Sequence, residues 1–257
     1  MKVYITLLST NEYLDGVLAL EQSLKNVGAK YPLVVAVTSN ILPFAREILQ
    51  KKKIEVIEVV DHSYTEECKK KFKNFGTPHW FYTAAKLRIF GLTQFEKMIF
   101  LDADMFLLKN IDHLFDRPHM TAAIDSPMIM ENDIEQHYNL NSGLLVIVPD
   151  KKLEQDLIEM SATECLADQD LLRKYYPDWR EHKELQLPVN YNFFARFWDK
   201  YRMRGIAPTD LYALHFVGKE KPFMKNELNN TTVKNMLQYF EGLYINAIRA
   251  SIREIDD

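Results

Sequence analysis

Residues 1–38 read MKVYITLLSTNEYLDGVLALEQSLKNVGAKYPLVVAVT, and this stretch decides the fold. Lys2 to Leu8 is an apolar, β-branched run that predicts a buried strand. Asp15 to Val27 carries helical periodicity, and Leu33 to Thr38 is a second apolar run. Strand, helix and strand in so short a space form a crossover unit, with two parallel strands and a helix packed across them. The alternation continues outward, with a helix around Phe44 to Lys52 and a third strand from Ile54 to Val60. Thr77-Pro78 opens another helix, since Thr can cap and Pro is tolerated in a first turn; it carries HWFYTAAKLRIFGL and should end near Gly91. Met98 to Leu101 is a short strand running straight into Asp102-Ala103-Asp104. Further strands are predicted at Met120 to Ile124, Gly143 to Val148 and Leu211 to Val217, and helices at Lys151 to Met160 and Asp168 to Tyr175. The expectation is one α/β domain over 1–257, with a Rossmann-like, mostly parallel twisted sheet flanked by helices.

Composition narrows the function. The net charge is −4, from 32 Lys plus Arg against 36 Asp plus Glu, which argues against duplex nucleic-acid binding because that needs a basic surface to displace counterions. With 8 Gly and 10 Pro the chain is not a low-complexity one. Cys68 and Cys165 lie far apart without a Cys-x-x-Cys or Cys/His grouping, so neither a disulfide framework nor a structural zinc site is expected. The apolar run at the N-terminus is too short for a secretory segment, and no run approaches the roughly 20 residues that span a bilayer. The expected setting is reducing and cytoplasmic, with no membrane partner.

Near the C-terminus, Val233, Met236, Leu237, Phe240, Tyr244, Ile248, Ile252 and Ile255 recur at three- and four-residue steps, with Thr231 or Thr232 available as a cap. The stripe reads as a long amphipathic helix packed on the core, or as a helix pair across a homodimer interface.

In an open α/β sheet, ligands bind beyond the carboxyl ends of the strands, where Asp102 and Asp104 stand. Two-residue spacing on an extended chain points both carboxylates the same way. Two hard oxygen donors at a strand tip suit a divalent cation bridging a diphosphate. Alone the pattern is weak: 17 Asp in 257 residues give about one Asp-x-Asp pair by chance, and a second occurs at Asp168 and Asp170.

The surrounding blocks give the motif its weight. The stretch YTAAKLRIFGLTQFEKMIFLDADMFLLKNIDHLF from Tyr82 to Phe115 resembles glycosyltransferase family 8, the glycogenin-like and galactinol-synthase-like retaining transferases. Further matches are TLLSTNEY at Thr6 to Tyr13, NLNSGLLVI at Asn139 to Ile147, ADQDLL at Ala167 to Leu172, LPVNYN at Leu187 to Asn192 and LHFVGKEKPF at Leu214 to Phe223. Six blocks in family order cover the chain from about Val3 to Phe223.

The resemblance implies the GT-A fold and transfer of a hexose, most simply glucose, from a UDP-sugar donor to a sugar, polyol or protein acceptor. It implies Mn²⁺, with Mg²⁺ as the alternative, held by Asp102, Asp104 and His215. Leu8, Thr10, Asn11 and Tyr13 match the loop that grips uridine, and Ala103 would offer backbone contacts to the ribose. Gly218 would let the backbone approach the diphosphate and Lys221 would neutralise it. Lys86, Asn141, Ser142, Asp168 and Gln169 match residues around the donor sugar, Asp168 and Gln169 lying beside the anomeric carbon. Residues 1–104 would then form the nucleotide-binding half, 105–225 the donor-sugar and acceptor half, and 226–257 the C-terminal helix. Each residue also has a plainer reading: Lys86 as a solvated helix lysine, His215 as a satisfied core or surface histidine, Asp168 as a helix cap.

Departures touch the sugar and acceptor end: Asp170 and Phe223 stand where the family often has Gly and Trp. They leave room for a protein of the same fold that binds nucleotide sugar without turnover. The opening crossover alone would also fit a dinucleotide-dependent oxidoreductase, but the G-x-G-x-x-G fingerprint is missing. Tyr191 and Tyr201 lie where glycogenin carries its self-glucosylated tyrosine, and the surrounding sequence does not match well enough to name an acceptor.

Overall fold

Seven strands, β1 (Lys2–Leu8), β2 (Leu33–Val37), β3 (Glu55–Glu58), β4 (Lys97–Leu101), β6 (Ala122–Ile124), β7 (Leu140–Ile147) and β8 (Gln186–Leu187), form one sheet in the order β3-β2-β1-β4-β7-β6-β8. The computed structural model describes residues 1–60, 64–74, 78–125, 139–203, 205–218, 221–224 and 236–256. Thr77, Thr231, Thr232 and Val233 lie outside them. β1 to β4 run parallel to one another, with Ile5 opposite Val34 on one side and Phe100 on the other. β7 is antiparallel to both β4 and β6, and β8 is parallel to β6.

The parallel strands are buried on both faces, which is why they read as unbroken apolar runs rather than as alternation. Tyr4, Leu8, Val35, Ile99 and Leu101 face one layer, packed by α1 (Leu14–Asn26) and α2 (Pro43–Lys51). Val3, Ile5, Val34, Met98 and Phe100 face the other, under the 3-10 helix Pro78–Gly91, α4 (Lys151–Glu164) and α5 (Asp168–Tyr175). α3 (Glu66–Asn74) flanks that second layer.

A small second sheet, in the order β5 (Met105–Leu107), β10 (Ala213–His215), β9 (Phe193–Phe194), sits beyond the carboxyl end of β4. The short helix α6 (Trp198–Arg202) follows β9. β5 was not anticipated from the sequence, and the last predicted strand shortens from residues 211–217 to three. Both are too brief to show a period of two.

The C-terminal helix α7 (Met236–Asp256) buries Phe240, Tyr244, Ala247 and Ile248 in the chain's own core, against α1 and the second sheet. Lys52, itself buried, donates to the Ser251 carbonyl and pairs with Glu254, tying α7 to the end of α2. No described helix is long and apolar enough to cross a membrane.

One expectation is overturned: Cys68 and Cys165 form a disulfide, their Cα atoms 4.8 Å apart. Their 97-residue separation along the chain says nothing of distance once α3 docks beside the end of α4, where Cys165 takes a left-handed backbone (φ 50°). A buried Tyr64 hydroxyl reinforces the junction by donating to the Leu166 carbonyl at 2.6 Å. Disulfides persist mainly in oxidising compartments, so unpaired cysteines no longer support a reducing one.

Candidate active site

β4 ends at Leu101, and the chain turns at once: Asp102 donates its amide to Gly143 O at 2.9 Å, and Met105 donates to Asp102 O at 3.0 Å. This turn sets the Asp102 and Asp104 carboxylates at the carboxyl edge of the parallel strands. Gly16 of α1 passes directly beneath, where a Cβ would stand 2.5 Å from Ala103 O. β10 then brings in His215, which pairs with Met105 across the small sheet, and Phe216 closes the ladder by donating to Asp104 O at 3.0 Å. One ligand atom from each of Asp102, Asp104 and His215 falls within 4.8 Å of the others. His215 Nε2 is 3.1 Å from Asp104 Oδ1 and 3.8 Å from Asp102 Oδ2. Two carboxylates and an imidazole are a donor set that suits a divalent cation of intermediate softness, and their mutual approach fits one.

Two buried ammonium groups flank the trio. Lys86 Nζ lies 3.0 Å from Asp102 Oδ1, 3.0 Å from Asp168 Oδ2 and 2.7 Å from Ser142 O, which excludes the reading as a solvated helix lysine. Its methylene stem lies on the sheet, with Nζ 4.3 Å from the centre of the Phe100 ring. Lys221 places its ammonium on Asp104 and donates to Phe216 O at 2.8 Å. These charges divide the two aspartates. Burial would raise the Asp104 pKa, but His215 and Lys221 overcome it and hold the carboxyl well below the usual range. For Asp102, burial wins over Lys86 and His215, helped by the negative neighbours Asp104 and Asp168, and the pKa is raised. Lys86 is the converse: burial works against its charge, Asp102 and Asp168 outweigh that, and its pKa is raised.

Asp168 is the first residue of α5, with Ala167 at the cap position, so its side chain is not a helix cap. It accepts instead from Ser142 Oγ at 2.8 Å and from Lys86. Gln169 Oε1 accepts the Ser142 amide at 3.1 Å. Asn141 donates to Asp125 Oδ1 at 3.3 Å and accepts from Gly143 N at 2.9 Å and from Asn192 Nδ2 at 2.7 Å. Thus Lys86, Asn141, Ser142, Asp168 and Gln169 assemble as one polar layer beside the trio.

The loop after β1 differs in detail from the expectation. The Leu8 side chain is fully buried, so only its backbone can meet a ligand. Thr10 precedes a 3-10 turn, and Asn11 uses its side-chain oxygen to accept Leu42 N at 3.0 Å. Tyr13 sits edge-on to Phe223 at 5.4 Å and 5.8 Å from Lys221 Nζ. Burial, then Asp104 and Asp102, pushes its hydroxyl pKa up. The carbonyl of Ala103 turns inward to accept Tyr244 Oη at 3.1 Å, so its carbonyl faces α7 rather than a ligand. Gly218 has φ 105°, and a Cβ there would stand 2.5 Å from Arg196 Nη1. Tyr201 is fully buried, and Tyr191 stacks on Tyr212 with ring centres 4.2 Å apart.

Sequence reasoning missed Asn192, which accepts from His215 Nδ1 at 2.7 Å, although it lies inside the quoted LPVNYN block. It also missed Asp125, paired with Arg173 at 2.7 Å, and Tyr244, a hydrophobic stripe position whose hydroxyl reaches the acidic turn. Nothing in the local sequence marks these roles, because each is set by a partner far away along the chain.

Residues 4–227 match the family described as Glycosyl transferase family 8. Glycogenin-1 of Caenorhabditis elegans is 29% identical over 230 residues, covering 86% of this chain and 51% of that protein. Glycogenin-2 of Homo sapiens is 31% identical over 236 residues, covering 86% and 43%. Galactinol synthase 6 of Arabidopsis thaliana is 28% identical over 229 residues, covering 77% and 66%. The chain therefore spans about half the length, or less, of these two glycogenins. Among solved structures, the galactosyltransferase LgtC in complex with donor and acceptor sugar analogues aligns over 97% of this chain and 96% of its own, with TM-score 0.63 and 14% identity. The glycosyltransferase GlyE of Streptococcus pneumoniae aligns over 99% of this chain and 63% of its own, with TM-score 0.62 and 15% identity. At these identities the likeness is one of fold, the GT-A fold expected from the sequence.

Proposed function

The chain belongs to glycosyltransferase family 8, and on that premise we propose that it moves a hexose, glucose in the simplest case, from a UDP-sugar to an acceptor hydroxyl with retention of configuration. The observation that carries this reading is the convergence of Asp102, Asp104 and His215 at the carboxyl edge of the sheet, between two buried lysines. Mn²⁺, with Mg²⁺ as the alternative, would be held by these three residues; when bound it supplies positive charge to the departing diphosphate. Lys221, which pairs with Asp104, would share its charge with a phosphate and stabilise the leaving group. No protein acid is then needed, unlike in a glycoside hydrolase. Lys86, Asn141, Ser142, Asp168 and Gln169 would orient the sugar. Residues 1–104 and 105–225 would divide nucleotide and sugar binding between them.

The engagement of Asp168 and Gln169 supports a front-face route. Asp168 is held on Ser142 and Lys86, and Gln169, a poorly nucleophilic amide, is held on a backbone N–H, so neither is free to bond to the sugar. The departing phosphate oxygen then takes the acceptor's proton.

The test is release of UDP from UDP-glucose, UDP-galactose, UDP-glucuronate and UDP-xylose, with Mn²⁺ or with chelator, followed by mass spectrometry of products on sugar, polyol and protein acceptors. Metal-dependent release from a UDP-sugar is expected. Metal-dependent UDP binding with no release from any donor would mark a binding protein and end the proposal.

A further inference from the structure

The protons around His215 can be assigned without ambiguity, starting from one backbone amide. Gly143 N–H is a donor whatever its surroundings, and it meets the Asn141 side chain at 2.9 Å, so the facing atom is the Asn141 carbonyl oxygen. Its other end, the amide nitrogen, then faces the Asp125 carboxylate at 3.3 Å, as the chemistry requires. The same Asn141 oxygen meets Asn192 at 2.7 Å, which therefore presents its own nitrogen there and its oxygen to His215. An amide oxygen can only accept, so His215 Nδ1, 2.7 Å away, carries a hydrogen. In the neutral ring the lone pair is then on Nε2, the nitrogen that faces Asp104 and Asp102.

We propose that Asn192 and Asn141 are positioning residues that lock His215 in the Nδ1–H tautomer and so aim its Nε2 lone pair at the cation held by the two aspartates. This rests on the metal-site reading above. The pathway is buried throughout: Asn141, Asn192 and His215 are each 6% exposed or less, so water does not compete for their hydrogen bonds. Gly143 permits the arrangement sterically as well, because a Cβ there would come 2.8 Å from His215 Cε1 and 3.0 Å from Asn141 Oδ1. The far end is fixed by Arg173, which holds Asp125 at 2.7 Å and the Leu140 carbonyl at 2.9 Å. Groups that hydrogen-bond the far nitrogen of a ligating imidazole set its orientation and basicity, and their loss costs metal affinity without removing a ligand.

The experiment uses the full chain and Mn²⁺ alone as probe, with free Mn²⁺ read by electron paramagnetic resonance. Asn192→Leu, of similar volume but unable to accept, is expected to weaken Mn²⁺ binding about 10- to 100-fold. Asn192→Asp, which keeps the acceptor for Nδ1 and loses only the donor to Asn141, is expected to lose less Mn²⁺ affinity than Asn192→Leu, which loses both. A second measurement needs no variant: ¹⁵N histidine spectra of the native chain loaded with diamagnetic Cd²⁺ should show Nδ1 protonated and Nε2 coupled to the cation. Equal Mn²⁺ affinity in folded Asn192→Leu, or a ring ligating through Nδ1, overturns the proposal. If the native chain binds neither cation, the metal site itself is wrong and the inference falls with it.

Discussion

The hydroxyl of Tyr244 donates to the carbonyl of Ala103 at 3.1 Å, joining the C-terminal helix to the middle of the Asp-Ala-Asp turn. The bond is buried, and Gly16 closes the other side of the same carbonyl. Removing the hydroxyl leaves a buried acceptor short of a donor, at about 1–3 kcal/mol. Tyr244→Phe keeps the ring packing against Phe216 and Phe223, so the expected outcome is a loss of stability in that range, measured by urea denaturation, with a several-fold drop in UDP release. Stability and release both at native levels would show that the turn does not depend on α7.

Reduction of the Cys68–Cys165 bond opens a loop of 97 residues in the unfolded chain. Chain entropy sets a ceiling of about 5 kcal/mol for a loop that long, and disulfides typically contribute about 2–4 kcal/mol. Cys165→Ser should lower the denaturation midpoint by an equivalent amount, and added reductant should lower the native chain to the same value while leaving the variant unmoved. Trapping of thiols in intact cells decides the compartment: a blocked pair fits an oxidising setting, and two free thiols restore the cytoplasmic one.

Acid stability should depend on His119. Burial lowers its pKa to about 4 from an ordinary 6.5. Its Nδ1 accepts from Val148 N at 3.0 Å and its Nε2 faces Tyr176 Oη at 3.0 Å, so the folded state needs the neutral ring. Between these two pKa values the unfolded chain binds a proton that the folded chain refuses, so stability falls as pH drops from about 6.5 towards 4. The ceiling is about 3 kcal/mol. His119→Asn should flatten the fall, measured as urea midpoints at pH 7 and pH 4.5. An unchanged slope would assign the acid sensitivity elsewhere.

The parallel half of the fold was legible because β1, β2 and β4 are buried on both faces and so leave uninterrupted apolar runs in the sequence. The reversal of β7 was not legible, since an antiparallel central strand buried on both faces looks the same. β5, β8 and β9 span only two or three residues and carry no period. Asp102, Asp104 and His215 were readable from residue type and from their blocks, and the fold brings them together. Asn192 was not, because its role is defined by the one nitrogen it faces. The cysteine pair failed for the same reason: spacing along a chain does not report distance across it.

The central claim, that a cation held by Asp102, Asp104 and His215 draws the nucleoside diphosphate away from its sugar, is tested most directly by replacing one ligand with its amide. Asp104→Asn keeps the shape of the side chain and removes the charge that both a cation and Lys221 require. With UDP-glucose, or whichever UDP-sugar the native chain cleaves, the account predicts that release of UDP falls at least about 100-fold, as several kcal/mol of charge stabilisation are lost. The variant should remain folded and stay inactive at any Mn²⁺ concentration. Release that stays near the native rate and still depends on added metal would contradict it.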